Sequence, residues 1–116
     1  MLNHTFDSFY MDLFLALKHR GCIHFTMTPL HGSTYIGSTP SLFAFVKSVP
    51  SSVRHVMLSG EAVTQSGLSR CCGHPCRVWN GYGPCETFFT HIREVDTELV
   101  DPYNVGETFK GMDVAI

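Results

Sequence analysis

Apolar residues near the start of the chain recur at three- and four-residue intervals. Phe6, Phe9, Leu13, Phe14 and Leu17 follow that spacing, and Lys18, His19 and Arg20 gather just before Gly21. The pattern predicts an amphipathic helix over residues 8–20, with Asp7 or Ser8 as N-cap and the basic residues at the negative end of the helix dipole. "CIHF", residues 22–25, reads as a short strand. Thr39 followed by Pro40 is a helix start, an N-cap hydroxyl with proline at the first helical position. "VRHVMLSGEA" sets Val53, His55, Met57 and Ser59 against Arg54, Val56 and Leu58, the alternation of a strand that ends at Gly60. A short helix over 64–70, weakened by Gly67, and a third strand at "RVWN" complete the series. Strands alternating with helices predict a layered α/β fold with mainly parallel strands and flanking helices.

Composition narrows the picture. With 116 residues the chain holds one modest core, and 44% hydrophobic against 16% charged residues is a globular balance. The net charge of −2, with no Lys/Arg block, argues against nucleic acid or an anionic membrane as partner. The apolar run at 13–17 is far short of the roughly 18 residues that span a bilayer, and "MLNHTFDSFY" has no basic stretch of the signal-peptide kind. A cytoplasmic protein is expected, and five cysteines, an odd number, suit a reducing compartment.

Three stretches invite chemistry and carry little. "CCGHPC", residues 71–76, offers Cys71, Cys72, His74 and Cys76, but four donors so closely spaced can hardly all face one tetrahedral ion, and a loop with incidental thiols is favoured. "HGSTYIGSTPS", residues 31–41, resembles a phosphate cradle without its lysine and reads as a feed into the second helix. His4, His24, His31, His55 and His91 are scattered without a nucleophile–base arrangement, and Glu94, Asp96, Glu98 and Asp101 read as a solvated acidic stretch.

"NGYGPCETFFT", residues 80–90, is different. A turn uses its glycines and Pro84 but needs neither the ring of Tyr82 nor the carboxylate of Glu86. The stretch resembles the N-x-Y-G-P-T-E motif of adenylate-forming enzymes, most closely the amino-acid adenylation (AMP-binding) domains of nonribosomal peptide synthetases. "FDSFYMDLFLAL", "TPSLF", "VRHVMLSGEAV" and "VGETFKGMDVAI" are similar to further stretches of that family, in the family's order.

The resemblance implies a ligase of secondary-metabolite synthesis that converts an amino acid and ATP to aminoacyl-AMP and pyrophosphate. By position, Tyr82 would lie against adenine and Asn80 would reach its edge. Gly60, Glu61 and Ala62 would line the base, with Gly83 and Cys85 close to the nucleotide and Glu86 on Mg²⁺. The implied amino-acid pocket is Asp7, Ser8, Met11, Gly37, Met57, Ser59, Gly81, Phe89 and Thr90. Asp7 would meet the substrate's α-ammonium, against the bland reading of an N-cap. Small Gly37, Ser59 and Gly81 beside apolar Met11, Met57 and Phe89 suggest a sizeable uncharged substrate side chain. The family further implies a phosphopantetheine-bearing carrier domain as acceptor and a condensation domain as neighbour.

The chain departs from the family at several points. Cys85 stands for threonine, a weaker hydrogen-bond donor, and Ser59 replaces the first glycine of G-G-E. The stretch from Gly21 to Thr39 is short by a helix. The family's phosphate loop would precede Met1, and its ribose-binding aspartate and C-terminal lysine subdomain would follow Ile116. Residues 1–116 are therefore expected to form part of an adenylation domain with no catalytic residue of its own, inactive in isolation. A non-catalytic relic or interaction module, and a ligase for acyl or aryl acids, are the alternatives.

Overall fold

The computed structural model describes residues 7–26 and 31–113; of Asp7 the backbone alone is described. Helix α1 (Asp7–Lys18) opens the chain, followed by β1 (Tyr35–Ser38), α2 (Pro40–Phe43), β2 (His55–Ser59), α3 (Gln65–Leu68), β3 (Arg77–Tyr82), β4 (His91–Glu94) and β5 (Glu107–Thr108). The strands form one sheet in the order β1-β2-β3-β4-β5. The β1–β2 and β2–β3 pairings are parallel, and the β3–β4 and β4–β5 pairings are antiparallel. This is the mixed α/β fold expected, extended by β4, which runs back along β3, and by β5, which pairs with β4.

Local chemistry explains the helix ends. Arg20 takes φ 53°, its amide bonds Leu17 O, and the Gly21 amide bonds Ala16 O at 2.7 Å. That is a Schellman ending, with an arginine in the left-handed position that glycine usually fills. At the other end α1 starts at Asp7, so both proposed caps lie within its first turn. Thr39 caps α2 as expected, its hydroxyl accepting the Leu42 amide with Pro40 next in line, and Thr64 caps α3 through the Gly67 amide.

Residues 22–25 are not a strand, contrary to expectation. A parallel partner for β1 needs a crossover of about a dozen residues or more, and the connection from Phe25 to Tyr35 is shorter than that. Among the described residues β1 is therefore an edge strand, and the family-length difference noted in the sequence has a structural consequence.

Register divides the side chains between two faces. Ile36, Val56 and Val78 share one face; Tyr35, Gly37, His55, Met57 and Trp79 share the other. The first face carries the core, where α2, α3 and the loops around them bury Phe43, Val46, Val53, Val63, Leu68 and Cys71 against Val56, Leu58, Val78 and Val95. The second face meets α1 through Asp12, whose carboxylate accepts the Tyr35 hydroxyl at 2.9 Å. Near the start of β3, Arg77 lies over the Trp79 ring and pairs with Glu94 of β4, so that Glu94 belongs to a strand and not to a loose acidic run.

Candidate functional site

The quoted motif is the end of β3 and its turn into β4. Asn80, Gly81 and Tyr82 are strand residues, Gly83–Thr90 form the connection, and the Thr90 amide closes it on Tyr82 O at 2.9 Å. Inside the connection a Cβ on Gly83 would collide with the Phe88 carbonyl, while Phe88 itself takes φ 64°. Glycine at 83 is thus a steric requirement, and Phe88 is held in a conformation that bulky residues avoid.

Side chains alternate along this strand end. Asn80 and Tyr82 share the core face with Leu58, and Tyr82 is 52% exposed, its ring meeting that of His91 edge to face with centroids 5.7 Å apart. Asn80 is only 6% exposed and its carboxamide has no hydrogen-bond partner among the described residues. Gly81 lies opposite Ser59 on the other face, where the Phe89 ring covers it. Gly60 follows β2 in the left-handed region at φ 84°, with open space beside it apart from Thr39 Cγ2 at 3.9 Å.

The residues expected around a nucleotide therefore converge at the C-terminal ends of two adjacent parallel strands, which is where α/β sheets present ligand sites. Glu61 and Ala62 are exposed, and the Glu61 carboxylate accepts both the amide and the hydroxyl of Ser41 at the start of α2. Cys85 and Glu86 sit exposed in the turn, and the Glu86 carboxylate has no partner among the described residues.

Some of the residues expected in an amino-acid pocket lie near one another. Gly37 and Met57 are register partners, as are Ser59 and Gly81, and all four occupy the sheet face that meets Asp12 of α1 at its β1 edge. Ser8 is buried on α1, and Phe89 is buried over Gly81. The Thr90 hydroxyl is engaged by His91 Nδ1 at 2.8 Å and by Tyr82 O at 3.3 Å. Met11 instead lines an apolar groove of about 510 Å³ with Tyr10, Phe14 and Phe88. The Asp7 side chain lies outside the described residues.

The cysteine-rich stretch folds as a structural loop. His74 Nδ1 accepts the Cys76 amide, which leaves its other nitrogen to donate to Pro50 O at 3.1 Å. Cys71 is buried in the core, and its thiol is pushed up to about 12, first by burial and then by the neighbouring Cys76. Among the described residues no cluster of donors suited to a metal ion occurs.

No family model matches the chain. The nonribosomal peptide synthetase agiA of Aspergillus flavus is 35% identical over 86 residues, 72% of this chain and 1% of that one. The chain superimposes on PA1221, a protein of the same kind containing adenylation and PCP domains, with a TM-score of 0.74, 22% identity, and coverage of 93% of this chain and 26% of that one. The chain belongs to the adenylation-domain family of nonribosomal peptide synthetases.

The same fold occurs in the O-succinylbenzoate coenzyme A synthetase MenE of Bacillus subtilis, solved with ATP and magnesium, at a TM-score of 0.52 and 18% identity over 85% of this chain and 20% of that one. The present chain spans about 1% of the length of the curated nonribosomal peptide synthetase it matches. Two contacts of this adenylation-domain stretch escaped sequence reading. Asp12 reaches the Gly37 position, and His91 props Tyr82. Asp12 had a signal: it stands four residues after Ser8, on the same helical face.

Proposed function

We propose that this chain supplies one wall of an ATP site and part of an amino-acid pocket for aminoacyl-adenylate formation, in which a substrate carboxylate oxygen bonds to the α-phosphorus of ATP and pyrophosphate leaves. The observation that carries the proposal is the strand-end arrangement of a half-exposed Tyr82 beside Asn80, a largely buried residue whose carboxamide bonds no other described residue and keeps access to the solvent side.

The residues fit the groups they would hold. An aromatic face and an amide are what a nucleobase recognises by stacking and edge hydrogen bonds. Gly60 and Gly83 keep the strand ends free of side chains, so a ligand can approach the backbone. Glu86 offers exposed oxygen donors, the kind that hold Mg²⁺, and the ion when bound neutralises phosphate charge. Asp7 would pair with the α-ammonium from the first turn of α1. Ser8, Ser59 and Gly81 leave room beside Met57 and Phe89 for the rest of the amino acid.

By family the product would pass to a phosphopantetheine-bearing carrier domain, within a longer cytoplasmic synthetase that also holds a condensation domain. The chain alone provides binding surface, since no group within it is assigned to the transition state. A second, non-catalytic reading draws on the exposed apolar residues of α1, Phe14 and Leu17, which suit contact with another protein surface.

Isothermal titration of the 116-residue chain with ATP and Mg²⁺ tests the proposal. Saturable binding that disappears in Tyr82→Ala supports it. A cooperatively folded chain without nucleotide binding would favour the non-catalytic reading.

A further inference from the structure

Asp12 lies on the side of α1 that faces β1. Its Oδ1 accepts the Tyr35 hydroxyl at 2.9 Å, and its Oδ2 enters the space above Gly37, 2.6 Å from where a Cβ would be built. Glycine at 37 thus hands its side-chain volume to a carboxylate from another element. Oδ2 has no hydrogen-bond partner among the described residues. Because Gly37 is the register partner of Met57, this oxygen is delivered to the same face as Met57, Ser59 and Gly81.

The carboxylate also lines a cavity of about 880 Å³ between α1, β1 and the neighbouring loops. Among the described residues the other titratable groups around that cavity are Tyr35, Cys22 and the imidazoles of His19, His24, His31 and His55, with no lysine or arginine. None of the imidazoles bonds Asp12, and His55 Nδ1 is taken by the Trp79 indole. Burial raises Asp12 above the ordinary carboxylate range, against the opposing Tyr35 hydrogen bond. Oδ2 is open to the cavity and not sealed in the protein, so a cation or strong donor entering there meets a partly desolvated carboxylate oxygen that no described side chain occupies. Among the described residues no such cation or donor is brought to Oδ2.

We infer that Asp12 is a further specificity residue, selecting an amino acid whose side chain ends in an ammonium or guanidinium, which enters over Gly37 and pairs with Oδ2. The inference rests on the amino-acid-binding reading above and assigns a substrate class to it, a basic side chain in place of the uncharged one that the pocket residues alone suggested before Asp12 was placed over Gly37. Met57 would flank the apolar stem of such a side chain, as long basic side chains bury their methylenes and keep their heads paired.

The test compares L-lysine and L-ornithine with L-norleucine, which has a similar stem without the charge. Binding to the 116-residue chain is measured by titration calorimetry, in the wild type and in Asp12→Asn. Asparagine keeps an acceptor for Tyr35, and thermal melting checks the fold. The expected result is a preference for the basic amino acids of about tenfold or more, the scale of a charge-assisted hydrogen bond, and its loss in Asp12→Asn.

Equal binding of norleucine and lysine by the wild type would overturn the inference while leaving the pocket reading intact. So would a preference that persists in a folded Asp12→Asn. If Asp12→Asn fails to fold, the wild-type comparison decides alone. Binding of no amino acid at all would overturn the pocket reading, and the inference with it.

Discussion

The Phe89 ring occupies the volume that a side chain at Gly81 would need: a Cβ built there lies 2.9 Å from two atoms of that ring. Both residues are buried, and Phe88 packs against Phe89 with ring centroids 4.8 Å apart, so the ring has little room to withdraw. Gly81→Ala is therefore expected to cost about 1–3 kcal/mol, the range for overpacking a filled site. Denaturant unfolding measures it. A Gly81→Ala/Phe89→Leu double variant should recover part of the loss, and strictly additive losses would show that the two positions do not compete for space.

A second expectation concerns pH. Desolvation favours the protonated form of Asp12 in the folded chain, so its folded pKa lies above its unfolded one. The folded state then binds more protons than the unfolded state, beginning near the ordinary carboxylate pKa and extending up to the raised value. Across that window stability falls as pH rises. Asp12→Asn removes this titration. Its melting temperature should gain on the wild type as pH climbs from about 4 through the weakly acidic range, then hold a constant difference. A wild type that instead gains on Asp12→Asn over that range would mean that the Tyr35 hydrogen bond outweighs burial.

Gly83 gives a third test, because the obstacle there is backbone and cannot rotate away. Gly83→Ala drives its Cβ into the Phe88 carbonyl, so the connection between β3 and β4 must move. Strain of this kind costs about 1–3 kcal/mol. The larger expected effect is local: amide exchange of Thr90, whose N–H closes the connection on Tyr82 O, should accelerate in the variant, while that of Val95 on Val78 should change little. Uniform acceleration would point to global destabilisation instead.

The parts of this fold that could be read from the sequence are those set by neighbours in the chain. Thr39–Pro40 and Thr64 cap their helices through contacts within one turn, and the alternation around Met57 reports the two faces of a strand. Residues 22–25 have strand-like composition, yet pairing is a long-range property and the short path to Tyr35 denies it. Strands β4 and β5 were invisible for the converse reason. "HIRE" and "ET" carry little strand character, and the hydrogen bonds of β3 and then β4 recruit them. At the candidate site the aromatic and acidic residues of the motif were legible by type. For Asp12 the spacing from Ser8 marked only the helical face; its contact with Gly37 was not legible, because it joins α1 to β1 across a stretch whose geometry no local pattern describes.

The cysteines make the last prediction. Cys22, Cys72 and Cys85 are exposed, Cys76 is half-buried, and Cys71 is buried with its thiol pushed up to about 12 by desolvation and by Cys76. Alkylation proceeds through the thiolate, so both accessibility and ionisation hold Cys71 back. Timed iodoacetamide labelling of the native chain, read by mass spectrometry, should modify the three exposed cysteines first and Cys71 last. Cys71 should label only at the rate of opening of the core it shares with Leu68 and Val78. Urea below the unfolding midpoint should therefore speed Cys71 far more than Cys85. Early labelling of Cys71 in the native chain would mean that α3 and the loop after it open independently of the sheet.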